Sequence, residues 1–122
     1  MKSKIELSEC KEVVAQDKTI FREILNPDKK RFVVGYSLSW FKVLPKQKTS
    51  KHSLKSSEVY FIISGKGKMH IDSEEFEVND NDTVFIPPNS MQFIENLSDT
   101  KPIIALCIVD PFWKKEDETI DK

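Results

Sequence analysis

The sequence predicts an all-β sandwich or barrel, and three features of the chain lead to that fold class. Apolar stretches are short and recur along the whole chain, clusters of polar residues separate them, and prolines stand at several of the corners. The helical period of about 3.6 residues is almost absent. Many short strands joined by such turns are typical of antiparallel sandwiches and barrels.

The predicted strands share two properties, a run or alternation of apolar residues and a flanking turn signal. They are residues 13–15, 19–21, 31–44, 59–63, 69–72, 76–78, 83–86, 91–95 and 102–109. The stretch 31–44 is either a strand pair or one strand bent at Gly35, because glycine within a strand marks a bend. At the end of the chain, residues 113–122 are predicted to form a short helix.

Residues 59–63 are apolar at every position, whereas a strand that is buried on one face only alternates apolar and polar residues. The outer face of this strand therefore needs a cover, which is either a second sheet or a partner subunit. We expect a homodimer for this reason.

Gly65-Lys66-Gly67 is predicted to form a hairpin turn after this strand. The face of the sheet to which the His70 side chain points depends on the length of the turn. Two central residues place Met69 and Ile71 on the same side as Glu58 and turn His70 away, and three central residues reverse this.

The overall numbers describe one domain, residues 1–122, with a balanced charge. Nineteen Lys and Arg residues against 20 Asp and Glu residues leave a net charge of -1, which argues against a nucleic-acid-binding protein. No apolar run is long enough to span a bilayer, and no leader sequence precedes the domain, so we expect no membrane partner and a cytoplasmic location. Cys10 and Cys107 are predicted to be reduced, buried thiols and not a disulfide.

His52 and Glu58 are the candidate functional residues. They are an even number of positions apart, so in an extended chain His52, Leu54, Glu58, Tyr60 and Ile62 share one face. A histidine and a carboxylate that project into one cavity are two potential ligands for a divalent metal ion. A buried Glu58 also needs a counter-charge or a proton, whichever partner it has.

The residues around this pair resemble the first motif of the small single-domain cupins, over about residues 46–65. His52 and Glu58 stand at the first histidine and the carboxylate of that motif, and Gly65 stands at its closing glycine. Lys46 replaces the first glycine, and Leu54 replaces the second histidine.

The second cupin motif is similar to residues 81–96. Pro87 and Asn96 match the motif, and Gln92 stands where its histidine is expected. Asn81 and Asn89 replace glycines, and asparagine is the side chain that best tolerates a positive φ at such positions.

The resemblance implies an antiparallel double-stranded β-helix, the jelly-roll barrel of the cupins, with little helix. It implies a divalent metal ion held by His52, Glu58 and Gln92, with Zn, Mn, Fe and Ni not distinguished. In the function that the resemblance implies, this ion would act as a Lewis acid and polarise an oxygen of a small polar metabolite, of sugar or carboxylate type. Tyr60 is a candidate general acid, and similar proteins are homodimers.

Two other functions stay open at this point, because the sequence does not decide whether the protein is an enzyme. Leu54 has no lone pair, and Gln92 can bind a metal only through its amide oxygen. The same pocket residues therefore also fit a metal-free barrel that binds or senses a small molecule through hydrogen bonds. The third possibility is a structural homodimer whose cavity has no ligand.

Overall fold

The computed structural model describes residues 3–29 and 31–121, and within these ranges the chain forms eleven strands and three single-turn 3-10 helices. The strands are β1 (Glu12–Val14), β2 (Ile20–Leu25), β3 (Ser37–Val43), β4 (His52–Leu54), β5 (Ser57–Ser64), β6 (Gly67–Ile71), β7 (Glu74–Val78), β8 (Thr83–Ile86), β9 (Gln92–Asn96), β10 (Ile103–Asp110) and β11 (Glu118–Ile120). The 3-10 helices are Leu7–Glu9, Pro27–Lys29 and Lys115–Asp117.

The strands form two antiparallel sheets. One has six strands in the order β1-β2-β3-β10-β5-β8, and the other has five in the order β11-β4-β9-β6-β7. Between β3 and β6 the chain passes from one sheet to the other after every strand, which is how a jelly roll is wound. The predicted all-β, antiparallel jelly roll is confirmed.

The core lies between the two sheets, where alternate residues of the strands point inwards. In β3 every second residue is buried, and the same alternation continues through β6, β9 and β10. The most deeply buried large side chains include Ile62, Met69, Ile94 and Ile103, at 0 to 1% exposure. Burying each such side chain contributes roughly 1.5–3 kcal/mol.

The hairpin predicted at residues 65–67 is wrong. β5 pairs with β8 and β10, and β6 pairs with β7 and β9, so this turn carries the chain from one sheet to the other. Gly65 has a φ of 117°, and a Cβ there would lie 2.7 Å from the Cα of Ile103. The glycines therefore predicted the position of the turn correctly, but they do not specify whether the two strands that it joins pair with each other.

The helix predicted for residues 113–122 is also wrong in the part that the structure describes. Lys115–Asp117 is a single 3-10 turn, and β11 follows it and pairs with β4. So short a helix is marginal without packing, whereas β11 gains ladder hydrogen bonds at the edge of the sheet. In the stretch 31–44, the strand itself is β3, Ser37–Val43.

The outer face of the six-stranded sheet is apolar and open. Phe61 and Ile63 on β5 are 39 and 41% exposed, and Phe85 on β8 is 59% exposed. The second sheet covers only the inner face of β5, so the described part of the chain does not supply the cover expected for the outer face of residues 59–63. Within the described residues, no helix has the length and apolar character needed to cross a membrane.

Candidate functional site

A cavity of about 320 Å³ lies between the sheets, at the end of the barrel where β5 begins and β10 ends. His52, Glu58, Tyr60 and Cys107 line it together with apolar side chains. This volume is at the low end of the roughly 300–1,000 Å³ found for small-molecule pockets. A mostly apolar cleft with a few converging polar groups is the usual form of a ligand site.

The two sheets bring the predicted residues together from opposite sides. His52 on β4 and Gln92 on β9 are cross-strand partners in the five-stranded sheet, while Glu58 and Tyr60 lie on β5 in the six-stranded sheet. All four are buried, at 1 to 6% exposure. The expectation that residues 52–62 form one face of a single strand is wrong, because the chain changes sheets after Leu54. The even spacing still identified inward-pointing positions on both strands.

Glu58 is held by a chain of hydrogen bonds. The Gln92 amide nitrogen donates to Glu58 Oε2, and the Tyr60 hydroxyl donates to Gln92 Oε1 at 2.8 Å. On the other side, the Cys107 thiol donates to Glu58 Oε1 at 3.6 Å. Both ends of the Gln92 amide are therefore engaged, and its orientation is fixed by a donor on one side and an acceptor on the other.

Burial raises the pKa of Glu58 from the ordinary value of 4.5 to about 7. Loss of hydration is the largest cause, and the charge of His52 and the hydrogen bonds from Gln92 and Cys107 act in the opposite direction. Burial also raises the pKa of Tyr60 and of the Cys107 thiol well above their ordinary values, with the Glu58 charge adding to the effect. Near neutral pH, Tyr60 and Cys107 are thus fixed donors, and Glu58 is the group that gains and loses a proton.

His52 is oriented by the backbone. Its Nδ1 lies 2.7 Å from the carbonyl oxygen of Ser50, so Nδ1 carries a proton and donates it there. Nε2 is then the free nitrogen, and its nearest charged neighbour is Asp17 Oδ2 at 3.7 Å. The other oxygen of Asp17 accepts hydrogen bonds from the backbone N–H and the hydroxyl of Thr19, at 3.1 and 2.8 Å.

Three further carboxyl groups line the cavity, those of Asp17, Glu23 and Glu118, and they were not among the predicted site residues. Burial raises the pKa of Glu23 to about 6 and also raises that of Glu118. Asp17 lies in the polar segment between the predicted strands 13–15 and 19–21, and Glu118 falls in the predicted terminal helix. No local pattern in the sequence could identify Glu118 as a site residue, because Glu118 comes near His52 only through the pairing of β11 with β4.

The cupin resemblance implies a metal ion, and the donor atoms around the cavity do not form a complete site for one. Among residues 3–29 and 31–121, no group of three or more His, Cys, Asp or Glu side chains could hold a metal ion. Leu54 packs in the core, and the Gln92 amide oxygen accepts the Tyr60 hydroxyl. The role of His52, Glu58 and Gln92 as metal ligands therefore stays a prediction.

His70 lies outside the cavity. Its ring stacks on Phe93 with centroids 4.0 Å apart, and its two nitrogens lie 3.4 Å from Glu75 and 3.1 Å from Glu95. Met69 and Ile71 are buried, which is the alternation expected for a two-residue turn although the turn joins two sheets. Cys10 and Cys107 are both free and buried, as predicted.

The family model for the cupin domain, Cupin_2, matches residues 39–109. The uncharacterized protein MJ1618 of Methanocaldococcus jannaschii is 36% identical over 118 residues, which are 96% of this chain and 93% of that protein. The family model spans all four of the predicted site residues, His52, Glu58, Tyr60 and Gln92.

Among solved structures, the plu4264 protein of Photorhabdus luminescens has a TM-score of 0.78 at 22% identity, over 96% of this chain and 92% of that one. A variant of Pac13 from Streptomyces, solved with uridine, also has a TM-score of 0.78, at 17% identity over 100% of this chain and 92% of that one. Pac13 is described as a unique nucleoside dehydratase. At these identities the similarity shows a shared fold.

Proposed function

This chain belongs to the Cupin_2 family of cupin domains, and on that premise we propose that its cavity binds a small polar molecule with which Glu58 exchanges a proton, without a metal ion. The observation that supports this proposal most directly is the state of Glu58. Its carboxyl group is buried at the wall of the 320 Å³ cavity, and burial raises its pKa to about 7. A group that titrates near the ambient pH is best suited to both give and accept a proton.

The hydrogen-bond chain supports this role for Glu58. Gln92 holds one carboxyl oxygen and Cys107 the other, so the carboxyl plane is fixed before a ligand enters. Tyr60 fixes the amide of Gln92 in turn. Because a positioned proton donor needs no reorganisation when the ligand arrives, such a group is more effective than a mobile one.

The donor atoms support the metal-free form of the proposal. Of the four positions that hold the ion in similar cupins, Leu54 offers no lone pair and the oxygen of Gln92 is engaged by Tyr60. His52 and Glu58 then remain, whereas catalytic metal sites commonly have three protein ligands. The Tyr60 hydroxyl already donates a hydrogen bond to Gln92, and its role as a general acid stays a prediction.

The test combines metal analysis with ligand binding. Protein purified without a chelator is expected to contain far less than one metal ion per chain, and a panel of neutral sugars, nucleosides and small acids is expected to include members that raise its melting temperature whether or not chelator is added. Glu58→Gln should remove the pH dependence of that binding around pH 7. Glu116→Gln, an exposed position next to the cavity-lining segment, is the matched control.

A second candidate function is the metal-dependent one, and one observation favours it. His52 anchors Nδ1 on a backbone carbonyl and leaves Nε2 towards the cavity, as metal-binding histidines commonly do. In this function the ion, Zn, Mn, Fe or Ni, would be held by His52, Glu58 and Gln92, and Gln92 would have to release the Tyr60 hydroxyl. A stoichiometric ion that is lost in His52→Ala would establish this candidate and contradict the metal-free proposal.

A homodimer is proposed through the outer face of the six-stranded sheet. Ile108, Val59 and Phe85 are cross-strand neighbours on three adjacent strands, and Phe61 lies two residues from Val59 on the same face. Stable soluble monomers rarely expose a contiguous apolar surface of this kind. Sedimentation should give twice the chain mass of 14.2 kDa, and Phe85→Lys should shift the protein to monomer. A wild-type mass of one chain would contradict the proposal.

A further inference from the structure

The cavity contains more acidic than basic side chains. The carboxyl groups of Asp17, Glu23, Glu58 and Glu118 line it, and the basic groups among its lining residues are His52 and Lys115. Three of these carboxyl groups have a raised pKa with loss of hydration as the largest cause, so the protein itself compensates their charge incompletely. A carboxylic acid ligand would meet this surplus at close range.

A second, independent feature is the free nitrogen of His52. The side chain is only 3% exposed, and Nδ1 donates to the Ser50 carbonyl, so Nε2 of the neutral ring is a hydrogen-bond acceptor. Within the described part of the chain, Nε2 has no hydrogen-bond partner, and neither has Oδ2 of Asp17, 3.7 Å away. Nε2 of the buried His52 and Oδ2 of the partly buried Asp17 therefore both line the cavity at a separation too long for a direct hydrogen bond, and a ligand with several N–H donors can contact both.

Aromatic rings form much of the remaining wall. Phe21, Phe41, Tyr60 and Trp113 line the cavity, and Phe41 and Tyr60 meet edge to face with centroids 4.9 Å apart. The face of an aromatic ring attracts a positive charge. Acceptors at one side and rings at the others form the kind of surroundings in which an ammonium group is bound.

We infer that the cavity selects a small molecule that carries a protonated amino group, and that this group is held by His52 Nε2, Asp17 and Glu118. An ammonium group has only donors, so it satisfies the acceptors of His52 and Asp17 together and offsets the carboxyl surplus. Glu118 adds a second carboxyl group, oriented by a 2.7 Å hydrogen bond from Gln16. The inference rests on the proposed small-molecule function and narrows the metabolite class expected from the sequence, because a carboxylate-type ligand is disfavoured.

The experiment uses a matched set of probes with one carbon skeleton. Binding of 2-phenylethylamine, 2-phenylethanol and phenylacetate to the full-length protein is measured by isothermal titration calorimetry at pH 7. The amine is expected to bind about tenfold more tightly than the alcohol, because of one added charge pair in a partly buried site, and phenylacetate is expected not to bind. Amine binding should also release protons from the buried carboxyl groups, which is read from the dependence of the enthalpy on the buffer.

Variants assign the selectivity to the named residues. Glu118→Gln should reduce the preference for the amine over the alcohol about tenfold, and Asp17→Asn should have a similar effect. Asp17→Asn changes a side chain that also accepts hydrogen bonds from Thr19 and could disturb that turn. Glu118 lies on the edge strand β11, so Glu118→Gln tests the same preference without changing this turn. Glu116→Gln removes the same charge two residues away, outside the cavity lining, and should leave the preference unchanged.

The outcomes separate the inference from the proposed function. If the alcohol or the acid binds as tightly as the amine, the ammonium preference is overturned while small-molecule binding stands. If none of the three binds, the ammonium inference is overturned, and the proposed function is judged by its own panel of sugars, nucleosides and acids. An amine preference that Glu118→Gln and Asp17→Asn both leave intact would also overturn the assignment.

Discussion

The two ends of the barrel interior are built by the same strands and differ in what fills them. β5 places Glu58 and Tyr60 at one end and Ile62 at the other, and β9 places Gln92 next to the cavity wall and Ile94 in the core. The end with Ile62 and Ile94 is filled by aliphatic side chains, whereas the end with Glu58 contains the cavity. The fold therefore decides which positions point inwards, and the residue type at those positions decides whether an end packs or binds.

The two ends also contribute oppositely to stability. The packed end removes apolar surface from water, which is the dominant favourable term in folding. The polar end buries a carboxyl group whose ionised form is disfavoured there, as the raised pKa of Glu58 shows. Destabilising groups retained inside a fold are expected at functional sites.

The largest effect is expected from a truncation at the packed end. Ile62→Ala removes a fully buried side chain and should lower the free energy of unfolding by about 2–5 kcal/mol, because a cavity is left among close-packed neighbours. Urea denaturation at pH 6 measures it.

A matched pair of valines sharpens that result. Val78 is in the packed core, and Val109 lines the cavity. Val78→Ala should lower the free energy of unfolding more than Val109→Ala does, since the second truncation only enlarges an existing space. Equal losses would mean that the two ends are packed alike.

The next effect is expected from Glu58→Gln, and it depends on pH. The pKa of Glu58 is about 7 in the folded chain against an ordinary value of 4.5. The folded state thus holds the proton over a range in which the unfolded chain has released it, so wild-type stability should fall by roughly 3 kcal/mol in total as the pH rises from 4.5 to 7. The variant lacks this contribution and should be the more stable protein at pH 8.

Urea denaturation between pH 4.5 and pH 8 measures this difference in unfolding free energy between the wild type and Glu58→Gln. Glu116→Gln, with its exposed carboxyl group, should keep the wild-type slope. Glu58→Gln should retain a smaller dependence of the unfolding free energy on pH, which comes from Glu23 and Glu118, because their pKa values are also raised. Parallel curves for wild type and Glu58→Gln would show that Glu58 is not a buried titrating group.

A smaller loss is expected from Tyr60→Phe. The hydroxyl of Tyr60 donates to the buried oxygen of Gln92, and its removal leaves that oxygen without a donor. The free energy of unfolding should fall by about 1–2 kcal/mol. The same variant should shift the apparent pKa of Glu58, because Gln92 is then free to turn. An unchanged pKa would indicate that the hydrogen-bond chain does not position Glu58.

The smallest effect is expected on the outside of the barrel. His70→Ala removes a ring that stacks on Phe93 and faces two partly exposed carboxylates, and it should change the free energy of unfolding by about 1 kcal/mol or less. Ligand binding and the titration of Glu58 should be unaffected. A loss of binding would contradict the placement of His70 outside the site.

Much of the site was predictable because strand geometry is local. Alternation identified His52, Glu58 and Tyr60 as inward-pointing positions. The substitutions at the motif glycines were interpreted correctly too, since Asn81 and Asn89 adopt φ values of 70° and 67°. Lys46 also takes a positive φ, 64°, where similar cupins have glycine, so side chain type alone does not mark such positions.

The rest depends on contacts between distant parts of the chain. Asp17 lies between β1 and β2, and Glu118 begins β11, so they reach His52 only after both sheets have formed. The engagement of Gln92 by Tyr60 likewise joins two sheets across the interior. No local pattern encodes these approaches, and the charge surplus of the cavity could not be read from a chain with a net charge of -1.

The most direct test is a carbon-13 NMR titration of the Glu58 side-chain carboxyl group, assigned by comparison with Glu58→Gln. The proposed function requires a group that is half protonated near neutral pH at the cavity wall, so the measured pKa should be about 7. A titration near 4.5, the ordinary value for glutamate, would contradict it.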